Sequence, residues 1–186
     1  MKHVEISAYG IVQGVGFRPF VHRLAKQCAV SGSVCNSGSG ALLHVQGEEE
    51  DISGFLTRLE EEAPPLGRIE TLECRERPCV QMSGFQILES SAGERNTMIS
   101  PDIAPCADCL RELDDPADRR YRYPFIHCTN CGPRSSIITD IPYDRCHTTM
   151  SEFEMFADRA KEYGDPMDRR YHAQPDACAA CGPKPL

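Results

Sequence analysis

Apolar and polar positions alternate from the first residues of the chain. Val4, Ile6 and Ala8 are interleaved with His3, Glu5, Ser7 and Tyr9, the two-residue period of a strand with one buried face. The period then changes. Phe17, Phe20, Val21, Leu24, Ala25 and Cys28 recur three and four residues apart, which lines them along one face of a helix. Pro19 suits the first turn of that helix, where no N–H is needed, and the pattern stops before Gly32. Two β-prone runs, GSVCN and ALLHVQG, flank SGSG, and serine with glycine supplies the turn geometry of a hairpin. The acidic run Glu48 to Asp51 opens a second helix, because carboxylates stabilise the positive N-terminal end of the helix dipole. Ile52, Phe55, Leu56 and Leu59 form its apolar stripe. Two weaker strands are predicted near Ile69 to Cys74 and Gly84 to Leu88.

A βαββαβ order closes as an antiparallel sheet with both helices on one face. Residues 1–90 are therefore expected to form an α+β domain of ferredoxin-like topology. The polar segment ESSAGERNT, residues 89–97, has little to bury and marks a boundary, with a linker over residues 91–105.

Beyond that boundary the logic is one of repetition. Residues 106–133 and 156–183 are a single motif repeated fifty positions apart, sharing an Asp-Pro, an Asp-Arg-Arg-Tyr element and a closing Cys-x-x-Cys-Gly-Pro. In the first copy, Cys106 and Cys109 are separated by residues 110–127 from Cys128 and Cys131, the spacing of a four-cysteine zinc site. Four thiolates leave no coordination position open, so this ion is expected to be structural and to supply folding energy to a module too short to bury a large core. In the second copy Cys178 and Cys181 remain, but Phe156 and Arg159 stand where the other pair should be. Cys146, His147 or His172 could complete a second zinc shell there; the alternative is a metal-free lobe packed around Phe153, Met155, Phe156 and Tyr163. Ser151 with Glu154 reads as a capping box that would start a helix. Residues 134–155 connect the zinc module 106–133 to the second module, 156–186.

Composition narrows the setting. The 186 residues are 40% apolar, enough for packed cores, and 28 acidic against 20 basic residues leave a net charge of −8. That balance gives no general attraction to nucleic acid or anionic membranes. No apolar run reaches the length that spans a bilayer and the N-terminus lacks the pattern of a secretory signal, so a cytoplasmic location is expected. In a reducing compartment, eleven cysteines point to metal rather than disulfides.

Candidate chemistry lies between the first strand and the first helix, in VQGVGFRPF, residues 12–20. Two glycines allow a tight turn with converging N–H groups, so Gln13, Gly14, Val15, Gly16, Phe17 and Arg18 are expected to cradle a phosphate at the helix start. The Arg18 guanidinium can grip two phosphate oxygens at once; the alternative is a turn carrying a solvated arginine. Asn36 lies near the end of the second strand. Were that strand to lie beside the first, Asn36 would approach the loop and orient a water for attack; otherwise it is a turn residue. The loop offers no Cys, His, Asp or Glu as a covalent nucleophile. Cys28 and Cys35 are rival nucleophiles, but neither is followed by a phosphate-cradling arginine. His3, His22 and His44 have no metal-like spacing and receive no role.

GIVQGVGFRPF together with GSVCNSGSG resembles the two signatures of acylphosphatases, over about the first 90 residues. The resemblance implies hydrolysis of a carboxyl-phosphate anhydride, with Arg18 binding the phosphate and Asn36 positioning the lytic water. Adding the duplicated modules with DPxDRRY, RYPFIHCTNCGPR, IPYDR and RRYHAQPxAC, essentially the whole chain resembles the front of the HypF carbamoyltransferase family of NiFe-hydrogenase maturation. That resemblance implies carbamoyl phosphate as the substrate, and adenylation and transfer to a HypE-like acceptor in domains this sequence lacks. This polypeptide alone is therefore not expected to complete carbamoyl transfer. The family usually carries a Cys-x-x-Cys where Phe156 and Arg159 stand. A competing function is a zinc-ribbon module that binds nucleic acid or a protein through RRYRY, residues 119–123.

Overall fold

A computed structural model describes residues 1–90 and 98–184. The linker predicted over 91–105 therefore lies outside the described residues for 91–97.

The first unit comprises β1 (Lys2–Ile11), α1 (Phe17–Gln27), β2 (Ser31–Ser37), β3 (Gly40–Gly47), α2 (Glu49–Glu61), β4 (Arg68–Arg77) and β5 (Phe85–Ile87). The sheet order is β4-β1-β3-β2-β5. Its first four members are antiparallel to their neighbours, and β5 joins the far edge parallel to β2. The first four strands and two helices thus form the ferredoxin-like unit, and β5 extends it by one short strand.

The alternation in β1 has the expected consequence. Ile6 and Ala8 pair with Leu43 and Ala41 across the β1–β3 ladder, and all four are buried with Val34 and Val45 on one face. Phe17, Val21, Leu24 and Ala25 of α1 cover that face with Ile52, Phe55 and Leu59 of α2. One correction follows from the order of strands. β2 does not lie beside β1, because the tight β2–β3 turn sends β3 into the place next to both.

The second region is built from short pieces. α3 (Ala107–Asp114) and α4 (Ala157–Gly164) occupy equivalent places in the repeat, and so do two left-handed residues, Arg122 and His172, with φ of 54° and 50°. Their N–H groups donate to Leu113 O and Tyr163 O at 2.9 and 3.1 Å, again fifty positions apart. The two modules clasp each other reciprocally: Arg120 Nε donates to Ala177 O and Arg170 Nε to His127 O, both at 3.2 Å. Ser151 and Glu154 do not open a helix. Thr148 caps a short 3-10 turn, Thr149–Glu152, by accepting from Met150 N–H, and α4 starts later, after Phe156.

Candidate functional site

The loop before α1 turns on Gly14 and Gly16, with φ of +72° and +76°, a region that side-chain-bearing residues rarely enter. A Cβ on Gly14 would also lie 2.8 Å from the Tyr143 ring. Val15 and Phe17 point into the core, so they serve the site through their backbone. Gly16 caps α1 without a side-chain bond, which leaves first-turn N–H groups directed out of the helix end, where an anion is favoured.

Arg18 is buried, 7% exposed, which removes the solvated-arginine alternative. It lines a small cavity with Gly14, Gly16 and Asn36, and Asn36 is 1% exposed. Asn36 reaches the loop even though β3 separates its strand from β1. Gln13 explains how: its Nε2 donates to Ser37 O at 2.7 Å and Gly40 O at 2.8 Å, tying the loop to the β2–β3 turn. The Gln13 side chain is thus a strut. Cys35, considered as a nucleophile, is buried in β2, and Cys28 follows α1 and lies 3.6 Å from Arg58 Nη1.

The cavity is completed by the two modules, which supply His127, Thr129, Gly132, His172 and Gln174, and by the connector between them, which supplies Tyr143. The space they enclose is small, about 20 Å³, room for about one water, so a phosphoryl group would have to displace Asp144 and part of this wall to reach Arg18. Tyr143 N–H donates to Gln13 Oε1 at 3.0 Å, and Asp144 Oδ1 accepts from Arg18 Nη2 at 3.3 Å. Asp144 also accepts a hydrogen bond from Ser90 Oγ. Burial, reinforced by Arg18, pushes His172 down to about 4, so its imidazole is neutral at pH 7. His127 is likewise held near 4 by burial, with Arg134 adding to it.

At the far end of the first module, Cys106, Cys109, Cys128 and Cys131 bring all four sulfurs within 4.8 Å of one another. Four sulfurs at about 2.3 Å from a central ion would lie about 3.8 Å apart in a tetrahedron; Cys106 to Cys128 is 3.5 Å and Cys128 to Cys131 is 3.8 Å. Cys106 N–H donates to Cys131 Sγ at 3.2 Å and Arg169 Nη1 to Cys109 Sγ at 3.1 Å, bonds that stabilise ligating thiolates from outside the shell. The residues fit a metal.

The second set does not come together in this way. Among the described residues, no third cysteine, histidine or carboxylate joins Cys178 and Cys181 as a group that could hold an ion. Cys146 is exposed, His147 Nδ1 donates to Pro142 O at 2.8 Å, and His172 stacks on Tyr163 with ring centroids 4.8 Å apart.

Comparison with known proteins follows the same division. Residues 4–87 match the Acylphosphatase family, and residues 106–138 and 160–185 match the HypF finger. An acylphosphatase of Leuconostoc mesenteroides is 35% identical over 88 residues, 47% of this chain and 98% of that protein. The carbamoyltransferase HypF of Synechocystis sp. is 49% identical over 153 residues, 82% of this chain and 20% of that protein. A crystal structure of full-length HypF in the phosphate- and nucleotide-bound form superposes with a TM-score of 0.92 at 50% identity, covering 98% of this chain and 24% of that one. The chain thus spans about a fifth of the length of the HypF relatives it matches. No helix among the described residues is long and apolar enough to cross a membrane. Through residues 4–87 the chain belongs to the acylphosphatase family, and it joins that enzymatic domain to HypF-finger modules in the arrangement of the N-terminal part of the HypF carbamoyltransferases.

Proposed function

We propose that this chain hydrolyses an acyl phosphate, with carbamoyl phosphate as the physiological substrate, as the first step of carbamoyl transfer to a HypE-like acceptor in the cytoplasm. The observation that carries the proposal is a buried arginine, Arg18, at the open N-terminus of α1, lining one cavity with Asn36. Phosphoryl oxygens accept from the loop N–H groups and from the Arg18 guanidinium, which offset the charge that builds during transfer. Asn36 orients a water in line with the scissile bond. The water oxygen bonds to phosphorus, the bond from phosphorus to the acyl oxygen breaks, and the electron pair leaves with the carboxylate or carbamate. Such a leaving group is stable as an anion, so the site needs no strong general acid and no covalent nucleophile.

The four cysteines of the first module hold one zinc ion in this reading. Zinc bound there cross-links the two knuckles and stabilises the module that walls the cavity. Cys106, Cys109, Cys128 and Cys131 are its ligands. The boundaries taken for the functional units are residues 1–90 for the hydrolase, 106–133 for the first module and 156–186 for the second, with 134–155 connecting the two.

The competing reading, binding of nucleic acid or a protein through residues 119–123, has less support from the side chains there. Arg119 and Arg120 are both paired with Glu162, Tyr123 is 2% exposed, and Arg122 lies over the Tyr121 ring at 5.3 Å. The favoured reading is tested by phosphate release from carbamoyl phosphate or benzoyl phosphate. Arg18→Ala is expected to slow release by about a hundredfold or more. Equal rates in the two proteins would remove Arg18 from the mechanism.

A further inference from the structure

The two modules are copies of one plan, and they differ where a metal would sit. In the first, Cys106 and Cys109 face Cys128 and Cys131. In the second, Phe156 and Arg159 hold the corresponding positions opposite Cys178 and Cys181. Phe156 is 55% exposed and does not fill the space inside. Arg159 does, at 1% exposed. Its Nη1 donates to Cys181 Sγ at 2.9 Å and to Cys181 O at 3.3 Å. Its Nε donates to Asp176 Oδ2 at 3.3 Å and its Nη2 to the Asp176 carbonyl. The two sulfurs of this half-site are 3.0 Å apart.

Asp176 is the other half of the exchange. It stands fifty positions after Ile126, so a buried apolar side chain in the first module is a fully buried carboxylate in the second. That carboxylate also receives Arg120 at 3.0 Å and Arg170 at 3.5 Å. A guanidinium buried alone would be strongly unfavourable. Here every element of its planar fork has an acceptor: a sulfur, two carbonyls and a carboxylate. A lysine ammonium has no such fork.

We propose that the second module is a metal-free site in which the Arg159 guanidinium occupies the seat of the zinc ion, bonded to Cys181 and held by Asp176. A cation placed between Cys178 and Cys181 would have two sulfur donors instead of four and would meet a fixed positive charge already bonded to one of them. Tetrahedral zinc requires the opposite on both counts. The alternative partners Cys146, His147 and His172 are engaged or exposed elsewhere, as described above. The two modules therefore use two cross-links of different chemistry in the same frame, an ion in one and an arginine with its carboxylate in the other. The inference is independent of the hydrolase reading, since it involves none of the residues placed in that mechanism.

The test counts zinc per chain by elemental mass spectrometry on the full chain, purified from zinc-replete medium and dialysed. The expected count is one. The Cys178→Ser, Cys181→Ser double variant should keep that one ion, because its ligands lie in the first module. The triple variant Phe156→Cys, Arg159→Cys, Asp176→Ile, which restores the first module's pattern in the second, should rise to two. A count of two in the unaltered chain overturns the proposal, as does loss of zinc from the double serine variant. A triple variant that stays at one would also overturn it, because the arginine would then not be what displaces the ion.

Discussion

If Arg18 holds the phosphoryl group as proposed, Asp144 must compete with it, and the Arg18–Asp144 contact sets the size of that competition. The pair is a single N–H···O contact of 3.3 Å between side chains 7% and 19% exposed. At an effective dielectric constant of about 20, two unit charges at that distance attract by about 5 kcal/mol. Desolvation of both groups offsets most of this, and a hydrogen bond to a charged group contributes about 1.5–3 kcal/mol net. The contact is longer than the strongest charge-assisted bonds, so the lower end applies, about 1.5 kcal/mol. Asp144→Asn keeps the shape while removing the charge, including its repulsion of an incoming phosphate. Inorganic phosphate should then bind about tenfold more tightly. The assay is competitive inhibition of benzoyl phosphate hydrolysis by inorganic phosphate, compared between the two proteins. An inhibition constant that is unchanged or larger in Asp144→Asn would refute the reasoning, because Asp144 would then support the site.

Other consequences follow from the same contacts. Asn36→Ala should lower turnover by about a hundredfold while leaving phosphate inhibition within about twofold, as expected for a group that positions water rather than phosphate; steady-state kinetics separates the two. His172 is neutral when folded, with a pKa near 4 against an ordinary 6.5, so the unfolded chain binds more protons between those values. Its contribution is intact above pH 6.5 and is lost as pH falls towards 4. The loss by pH 5 is up to about 2 kcal/mol, reduced to about 1 by the ring's partial exposure. His172→Asn tolerates the left-handed backbone and should flatten the fall in melting temperature between pH 7 and 5. Removing the zinc proposed at Cys106, Cys109, Cys128 and Cys131 should open the module region from residue 106 onward to limited proteolysis while the sheet of residues 1–90 stays resistant, read from the masses of the fragments.

How much of this was legible in the sequence depends on the range of each interaction. The strand at Val4, Ile6 and Ala8, the helix beginning at Phe17, and the Gly14–Gly16 turn are local patterns, and they fold as read. The four-cysteine cluster was legible because its ligands carry a fixed spacing. Tyr143 and Asp144 were not found as part of the site. They lie in an aperiodic connector and meet Gln13 and Arg18 across 130 and 126 residues of chain, a contact no periodicity encodes. The fifty-residue repeat exposed Arg159 as a substituted cysteine, and the same alignment places Asp176 opposite Ile126. That second exchange, an apolar residue replaced by a carboxylate, is the sequence signal of a buried ion pair. The sequence allowed β2 a place beside β1. Hairpin geometry decided otherwise, and Gln13 restores the proximity of Asn36 through the β2–β3 turn.

The central claim is that water activated at Asn36 attacks phosphorus while Arg18 holds the phosphoryl group. Hydrolysis of benzoyl phosphate in water enriched in oxygen-18 tests it most directly. The account predicts one labelled oxygen in the released phosphate and none in the benzoate, with labelled product formation falling by about a hundredfold or more in Arg18→Ala. Label appearing in benzoate, or labelled phosphate formed equally fast without Arg18, would contradict it.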